Sequence, residues 1–101
     1  MTMSTLARIV AVEHLGDYRL LLTFSDGLVR ELDFDGIVKG GVLEKLNDAV
    51  FFGKVTVNQV AGTIEWPNGV DLDPDVLHGD FEPASGRPAK LIHEYHLHAA
   101  G

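Results

Sequence analysis

The chain has 101 residues, 46% of them apolar, with no cysteine and a formal net charge of −7 at pH 7. This length predicts one domain with a modest core, and the lack of cysteine excludes disulfides, thiolate metal sites and cysteine nucleophiles. No apolar run approaches the roughly 18 residues of a membrane span, and residues 1–5 show no secretory signal. We therefore expect a cytoplasmic protein that makes no membrane contact.

The negative charge is concentrated in the second part of the chain. Residues 1–60 carry six basic and eight acidic side chains, whereas residues 61–101 carry two basic and seven acidic ones. A surface that binds duplex nucleic acid needs clustered Lys and Arg to displace counterions from the phosphates, but here the basic residues are scattered singly. Direct nucleic-acid binding is therefore not expected, and the acidic balance favours a basic protein partner.

The first part of the chain predicts a three-stranded antiparallel meander. β-Branched residues indicate a strand from Leu6 to Leu15, and apolar residues recur with period two over Tyr18–Phe24. Asp26-Gly27 follows, and this dipeptide is a strong hairpin signal because primed turns need positive φ at both central positions. The next strand is predicted over Leu28–Asp33.

The middle of the chain predicts a short helix and a second hairpin. Apolar residues with helical spacing indicate a helix over about 41–47. Phe51 and Phe52 are expected to anchor the returning chain in the core. Two further runs, Lys54–Val60 and Thr63–Trp66, are rich in strand-forming residues and predict a pair of strands.

The stretch Trp66–Leu77 carries the densest local signals. Strand pairing should stop at Pro67, which has no N–H to donate, and Asn68-Gly69 predicts a turn. A brief return strand is expected over Val70–Leu72.

A second short helix is predicted immediately afterwards. Asp73 precedes Pro74, and a carboxylate at the N-cap followed by proline at the first helical position is a typical helix start. Asp75 in the first turn complements the helix dipole. The helix should run to about Leu77 and end at Gly79.

These elements predict an α+β fold, in which one antiparallel sheet is built from the three-stranded meander plus the second hairpin, with two short helices. Residues 1–80 are assigned to a single domain, and residues 81–101 to a linker and a C-terminal tail, because Glu82–Pro88 has the composition of a linker. The segment Ala89–Ala99 fits both a helix and a strand. Its apolar residues beyond a linker predict a dimer contact.

A set of short motifs recurs in the order and spacing of a known family. The motifs are Asp17-Tyr18-Arg19-Leu20, Phe24-Ser25-Asp26-Gly27, Gly41-Val42-Leu43 with Leu46, Phe52, and Trp66-Pro67-Asn68-Gly69-Val70-Asp71-Leu72-Asp73-Pro74. In this set the chain resembles domain-of-unknown-function family 2442 over about residues 7–79. The resemblance implies a small bacterial α+β domain with an antiparallel sheet and short helices. It also implies membership of gene pairs suggestive of toxin–antitoxin or regulatory cassettes, and it supplies no catalytic residues.

The acidic residues after the second hairpin form one candidate ligand site. Asp71, Asp73 and Asp75 alternate near His78, and hard cations take several oxygen ligands. The spacing lacks the glycine and glutamate of a Ca²⁺ loop. Helix capping and the helix dipole already account for Asp73 and Asp75, so a structural role is the favoured interpretation.

The single tryptophan has two interpretations. Trp66 at a sheet edge would make a binding hot spot, but a lone tryptophan at the end of a strand is more often buried in the core because of its large apolar area. The residues predicted to bind a partner or ligand are Trp66, Asn68, Asp71, Asp73 and Asp75.

The histidines of the tail form a second candidate site. His93, His96 and His98 flank Glu94, and imidazoles with a carboxylate can hold zinc. No H-E-x-x-H motif is present, and the segment lies at a terminus, where disorder concentrates. A solvated or dimer-packing tail is favoured, so no metal is predicted.

No sequence pattern indicates catalysis. The chain has no G-x-S-x-G elbow and no phosphate-binding glycine loop, so neither an enzyme nor a cofactor is predicted. The predicted function is a non-catalytic protein-interaction module, antitoxin-like or regulatory, with a protein partner and a homodimer expected. The alternative is a metal- or small-ligand-binding domain that uses the region of Asp71, Asp73 and His78 or the tail histidines.

Overall fold

A computed structural model describes residues 8–35, 45–72, 74–79 and 89–97, with the backbone alone at positions 75 and 76. The described strands and helices, in chain order, are β1 (Ile9–Gly16), β2 (Arg19–Phe24), β3 (Leu28–Asp33), α1 (Ala49–Phe52), β4 (Thr56–Asn58), β5 (Thr63–Glu65), β6 (Asp71–Leu72), α2 (Pro74–His78) and β7 (Lys90–His96). No helix in these ranges is long and apolar enough to cross a membrane.

The first sheet contains the predicted meander and one strand more. Its order is β1-β2-β3-β7, and every neighbouring pair is antiparallel. At the hairpin between β2 and β3, Gly27 has φ +91°, a conformation that glycine adopts without steric cost. The Asp26 carboxylate accepts a hydrogen bond from Leu28 N–H at 3.0 Å, which closes the turn. The meander is therefore confirmed.

The second hairpin forms a separate sheet, so the prediction of one sheet built from meander and hairpin is wrong. β4, β5 and β6 pair antiparallel in that order, and β6 is the predicted return strand. The β1–β2 ladder has an irregularity between Ile9 and Ala11, and such a bulge bends its strand and interrupts pairing. Next to it, Ile9 N–H donates to the Gly62 carbonyl at 2.8 Å. β1 thus meets the turn of the second sheet rather than extending its ladder.

Both sheets pack on one core. The apolar residues of β2 alternate inward, and the fully buried Phe52 of α1 lies among aromatic rings from the surrounding elements. The ring centroids of Tyr18, Phe34 and Trp66 lie 5.4–5.7 Å from that of Phe52. Edge-to-face and tilted contacts at this separation are favourable for aromatic pairs. The second sheet is therefore held to the first by side chains rather than by a continuous ladder.

The helix predicted over 41–47 differs from the structure where it can be compared. Residues 41–44 lie outside the described residues, and residues 45–47 form one turn of 3₁₀ helix. The α-helix begins instead at Ala49, because Asp48 is its N-cap and accepts hydrogen bonds from the N–H groups of Val50 and Phe51. Phe52 at the end of α1 is buried, as predicted for an anchor, and Phe51 is half-buried.

The second predicted helix is confirmed. α2 starts at Pro74, the position where the missing N–H of proline costs nothing. Gly79 follows the helix with φ +101°, as expected for a residue that ends a helix. Leu77 points into the core. The predicted N-cap Asp73 lies outside the described residues.

The C-terminal segment is extended rather than helical over 90–96. β7 pairs antiparallel with β3, and all seven of its residues are exposed. Leu32 lies opposite Leu91 whereas Glu31 lies opposite His93, so Ile92 is the extra residue of a bulge. The predicted linker over 82–88 lies outside the described residues, and the dimer contact stays a prediction.

Candidate functional site

Trp66 lies in the core. It is 2% exposed, and its indole N–H donates to the backbone carbonyl of Phe52 at 2.8 Å. A buried indole usually has such a partner, because an unpaired N–H in the interior is costly. The interpretation of Trp66 as a core residue is confirmed.

Of the other predicted binding residues, Asn68 and Asp71 lie in the described part of the chain. Asn68 is exposed in the turn after β5, where its side-chain oxygen accepts a hydrogen bond from Val70 N–H at 3.2 Å. Asp71 is exposed in β6, opposite Glu65. Asp73 and the side chain of Asp75 lie outside the described residues. Whether any of these residues contacts a ligand or partner stays a prediction.

His78 lies against the first sheet. Its Nε2 is 2.7 Å from the Asp26 carboxylate, and its ring meets the edge of Phe24 with centroids 4.8 Å apart. Desolvation raises the pKa of Asp26, but the hydrogen bonds from Leu28 N–H and His78, together with the charges of His78 and His96, outweigh it. The pKa of Asp26 is therefore below its ordinary value, and the contact between Asp26 and His78 fastens α2 to the β2–β3 turn.

Arg30 connects three elements. Its Nη1 donates to the carbonyl of Leu77 at 2.9 Å, and its Nε donates to the Glu94 carboxylate at 3.0 Å. The guanidinium is largely buried while Glu94 is half exposed. Arg30 on β3 thereby ties the end of α2 to β7.

The tail histidines do not gather in the described residues. His93 lies opposite Glu31 and His96 lies opposite Leu28, so the two imidazoles are on opposite faces of β7. His98 lies outside the described residues. Among the residues that the structure does describe, no group of three or more His, Asp or Glu side chains is placed to hold a metal ion.

An acidic cleft that the sequence did not indicate lies at the other end of the first sheet. It has a volume of about 180 Å³, and its lining residues are Asp17, Tyr18, Arg19, Asp33 and Asp35. The Tyr18 hydroxyl donates to the carbonyl of Asn47, and Arg19 is paired with Glu31 at 3.2 Å. Among the described residues that line the cleft, Arg19 is the one cationic side chain, and it is already paired with Glu31.

β7 and the residue after it carry several exposed apolar side chains. The large apolar residues that are 42–54% exposed in this segment are Leu91, Ile92, Tyr95 and Leu97. β7 is the last strand in the sheet order. Natural proteins protect such edges with lysine and bulges, and here Lys90 and the bulge at Ile92 both lie in the first half of the strand. Residues 93–97, which we call the open edge, form a regular extended run.

The backbone direction along the open edge follows from one hydrogen bond. Leu97 N–H donates to the Gly27 carbonyl at 2.7 Å, so the backbone N–H and C=O of Leu97 point towards β3. Because alternate residues of an antiparallel strand bond to the same side, His93 and Tyr95 also face β3. The N–H and C=O groups of Glu94 and His96 then point away from the sheet. No residue in the described ranges pairs with these groups, and they form the free ladder of the open edge.

The protein is a small β-rich domain with short helices. Its two antiparallel sheets share an aromatic core, and β7 lies at one edge of the first sheet. The chain belongs to the family described as protein of unknown function (DUF2442), which matches residues 9–82. The resemblance inferred from the sequence motifs is confirmed. The match spans β1 to α2, and β7 lies beyond it. No curated protein and no solved structure matches the chain significantly.

Proposed function

We propose that the protein is a non-catalytic protein-interaction module and that the open edge of β7 is its docking surface. The observation that carries this proposal is a combination of two features: backbone groups at Glu94 and His96 that no described residue pairs with, and exposed apolar side chains at Tyr95 and Leu97. A strand from another chain gains main-chain hydrogen bonds at such an edge, and the side chains on both faces supply specificity.

The formal net charge of −7 favours a basic protein over a nucleic acid as a further partner. A regulatory or antitoxin-like role in a two-gene cassette is part of this proposal. It requires a different protein in a stable complex, so the binding experiment supports it only where the retained protein is not a second copy. No contact among the described residues favours the alternative of a metal- or small-ligand-binding domain.

Affinity purification of the full chain with two matched variants tests the docking surface. Leu97→Ser removes an exposed apolar side chain from the open edge, and Val60→Ser removes one from the turn after β4, where Val60 is 91% exposed. We expect a stoichiometric protein, either a second copy or another chain, to associate with the wild type and with Val60→Ser but not with Leu97→Ser. A wild-type protein that stays monomeric and retains no partner would contradict the proposal.

A further inference from the structure

We propose that the chain docked at the open edge is a second copy of the same protein, paired antiparallel to β7 about a two-fold axis at Tyr95. This inference rests on the proposed function, because it names the partner of the same edge. It joins the first sheets of two copies into one continuous sheet. Closed two-fold pairs of this kind use the same surface on both copies.

The direction of the backbone groups restricts where the axis can lie. Within 93–97, Glu94 and His96 are the residues whose N–H and C=O groups pair with no other described residue. A residue whose N–H and C=O point away from β3 must lie opposite another such residue in the second copy. The side chains of two opposite residues must also lie on the same face of the sheet. An axis between two residues fails both conditions, since it places an outward residue opposite an inward one. The axis must therefore pass through a residue.

Charge selects among the remaining axes. An axis through Glu94 would place that carboxylate opposite its own symmetry mate, and like charges directly opposite each other are destabilising. An axis through His96 would likewise oppose two identical imidazoles and leave Glu94 without a complement in the open edge. An axis through Tyr95 instead places Glu94 opposite His96 of the second copy, and the symmetry repeats this pair. This is the register that places a carboxylate opposite an imidazole able to donate a hydrogen bond to it.

The side chains in this register also match by face. Glu94 and His96 lie on the face of Leu28, whereas Tyr95 lies on the face of Val29. Each Glu94–His96 pair exchanges both of its backbone hydrogen bonds, and an imidazole N–H can donate to the carboxylate, which is half exposed beside Arg30. Tyr95 meets its symmetry mate at a non-hydrogen-bonded position, where side chains approach most closely.

The outer positions of the register bring apolar surface together. His93 lies opposite Leu97 of the second copy, on the same face as Tyr95. His93 already contacts Tyr95 within its own strand, with ring centroids 5.8 Å apart. The face of Tyr95 therefore becomes a row of aromatic and apolar groups across the two-fold axis. Cross-strand aromatic and aliphatic pairs of this kind stabilise antiparallel ladders.

Disulfide trapping tests both the dimer and its register, because the chain has no native cysteine. At a non-hydrogen-bonded pair the two Cα atoms are about 4.5 Å apart, so Tyr95→Cys places two thiols within the range that a disulfide spans. In the control His93→Cys, the symmetry-related residues are four positions apart along the strands, about 13 Å, which is too far. Light scattering of the uncrosslinked protein gives the mass in solution.

We expect a wild-type mass of twice 11.0 kDa, a covalent dimer of Tyr95→Cys under mild oxidation, and no crosslink in His93→Cys. His96→Pro removes an outward N–H without removing a bond to β3, so this variant should be monomeric and folded. Equal crosslinking of both cysteine variants would overturn the register. A monomeric wild type that captures another protein through Leu97 would overturn the second copy and leave the proposed function standing. A wild-type monomer that binds no protein would contradict both the second copy and the proposed function.

Discussion

The indole N–H of Trp66 donates to the backbone carbonyl of Phe52 at 2.8 Å, deep in the core. This bond joins the end of the second sheet to the last residue of α1. It also explains why the lone tryptophan is buried at this point of the chain: the indole both fills space beside Phe52 and satisfies a carbonyl that no other group reaches in the described residues.

Trp66→Phe should destabilise the fold without changing it. Phenylalanine keeps an aromatic ring beside Phe52 but leaves the Phe52 carbonyl without its donor, and an unpaired buried polar group costs about 1–3 kcal/mol. Urea unfolding should therefore show a lower midpoint with an unchanged slope. Val60→Ala is the control, because exposed substitutions usually change stability by no more than about 0.5 kcal/mol. Equal midpoints for wild type and Trp66→Phe would show that the bond contributes nothing.

Phe52→Ala should be the more damaging core substitution. The Phe52 side chain is fully buried and has Tyr18, Phe34 and Trp66 around it, so its removal leaves a cavity and costs about 3–5 kcal/mol. Phe51→Ala, at the adjacent half-buried position, should cost clearly less. Thermal unfolding followed by circular dichroism ranks the two variants, and a larger loss at Phe51 would refute this account of the core.

Asp26 should make folding stability fall in acid. Its pKa is below the ordinary value of 3.8 in the folded protein, so the folded state favours the charged carboxylate. The resulting stabilisation is present above the ordinary pKa and is lost as pH falls through the folded pKa. Urea midpoints measured between about pH 6 and pH 2 should show a gap between wild type and Asp26→Asn that closes towards the acid end. A gap that is independent of pH would contradict the assignment.

Gly27→Ala should loosen β7, whereas Gly69→Ala should not. Both glycines have positive φ, +91° and +88°, so alanine is strained at each by a similar amount. At Gly27 the added Cβ would also lie 3.0 Å from the Leu97 carbonyl oxygen, while at Gly69 nothing lies within 4 Å. Amide hydrogen exchange in residues 93–97 should therefore accelerate in Gly27→Ala alone. Similar exchange in both variants would show that the turn does not hold β7 in place.

The elements that local signals specify could be predicted from the sequence. Asp26-Gly27 correctly marked the position of the β2–β3 turn, but only Gly27 has positive φ, so the expected primed turn with positive φ at both residues is wrong. The start of α2 at Pro74 followed from the missing N–H of proline. The division into two sheets could not be predicted, because it depends on how β1 meets Gly62, far away in the chain. Hydrophobic periodicity indicates that a strand exists but not which strand lies beside it.

The C-terminal strand shows why a local pattern can stay ambiguous. Ile92 is the extra residue of a bulge, so the alternation of inward and outward side chains changes phase between Leu91 and His93. The apolar residues then fit helical spacing as well as they fit a strand. Prediction of the candidate site was limited in the same way. The burial of Trp66 was the favoured interpretation. The open edge could not be predicted, because it depends on the pairing of β7 with β3, to which Arg30 and Glu94 contribute across 64 residues of sequence.

β7 also separates the proposed docking surface from the core that stabilises the fold. Its residues are all exposed and contribute little to the core, and it covers the strand β3, which would otherwise form the border of the sheet. Under the proposed function, substitutions in 93–97 would alter the choice of partner at small cost to folding. A chain of the same fold without this strand would have β3 at its border instead, with Arg30, Glu31 and Asp33 among its six residues. Under the proposed function, one peripheral strand would thus determine the partner while the core determines the fold.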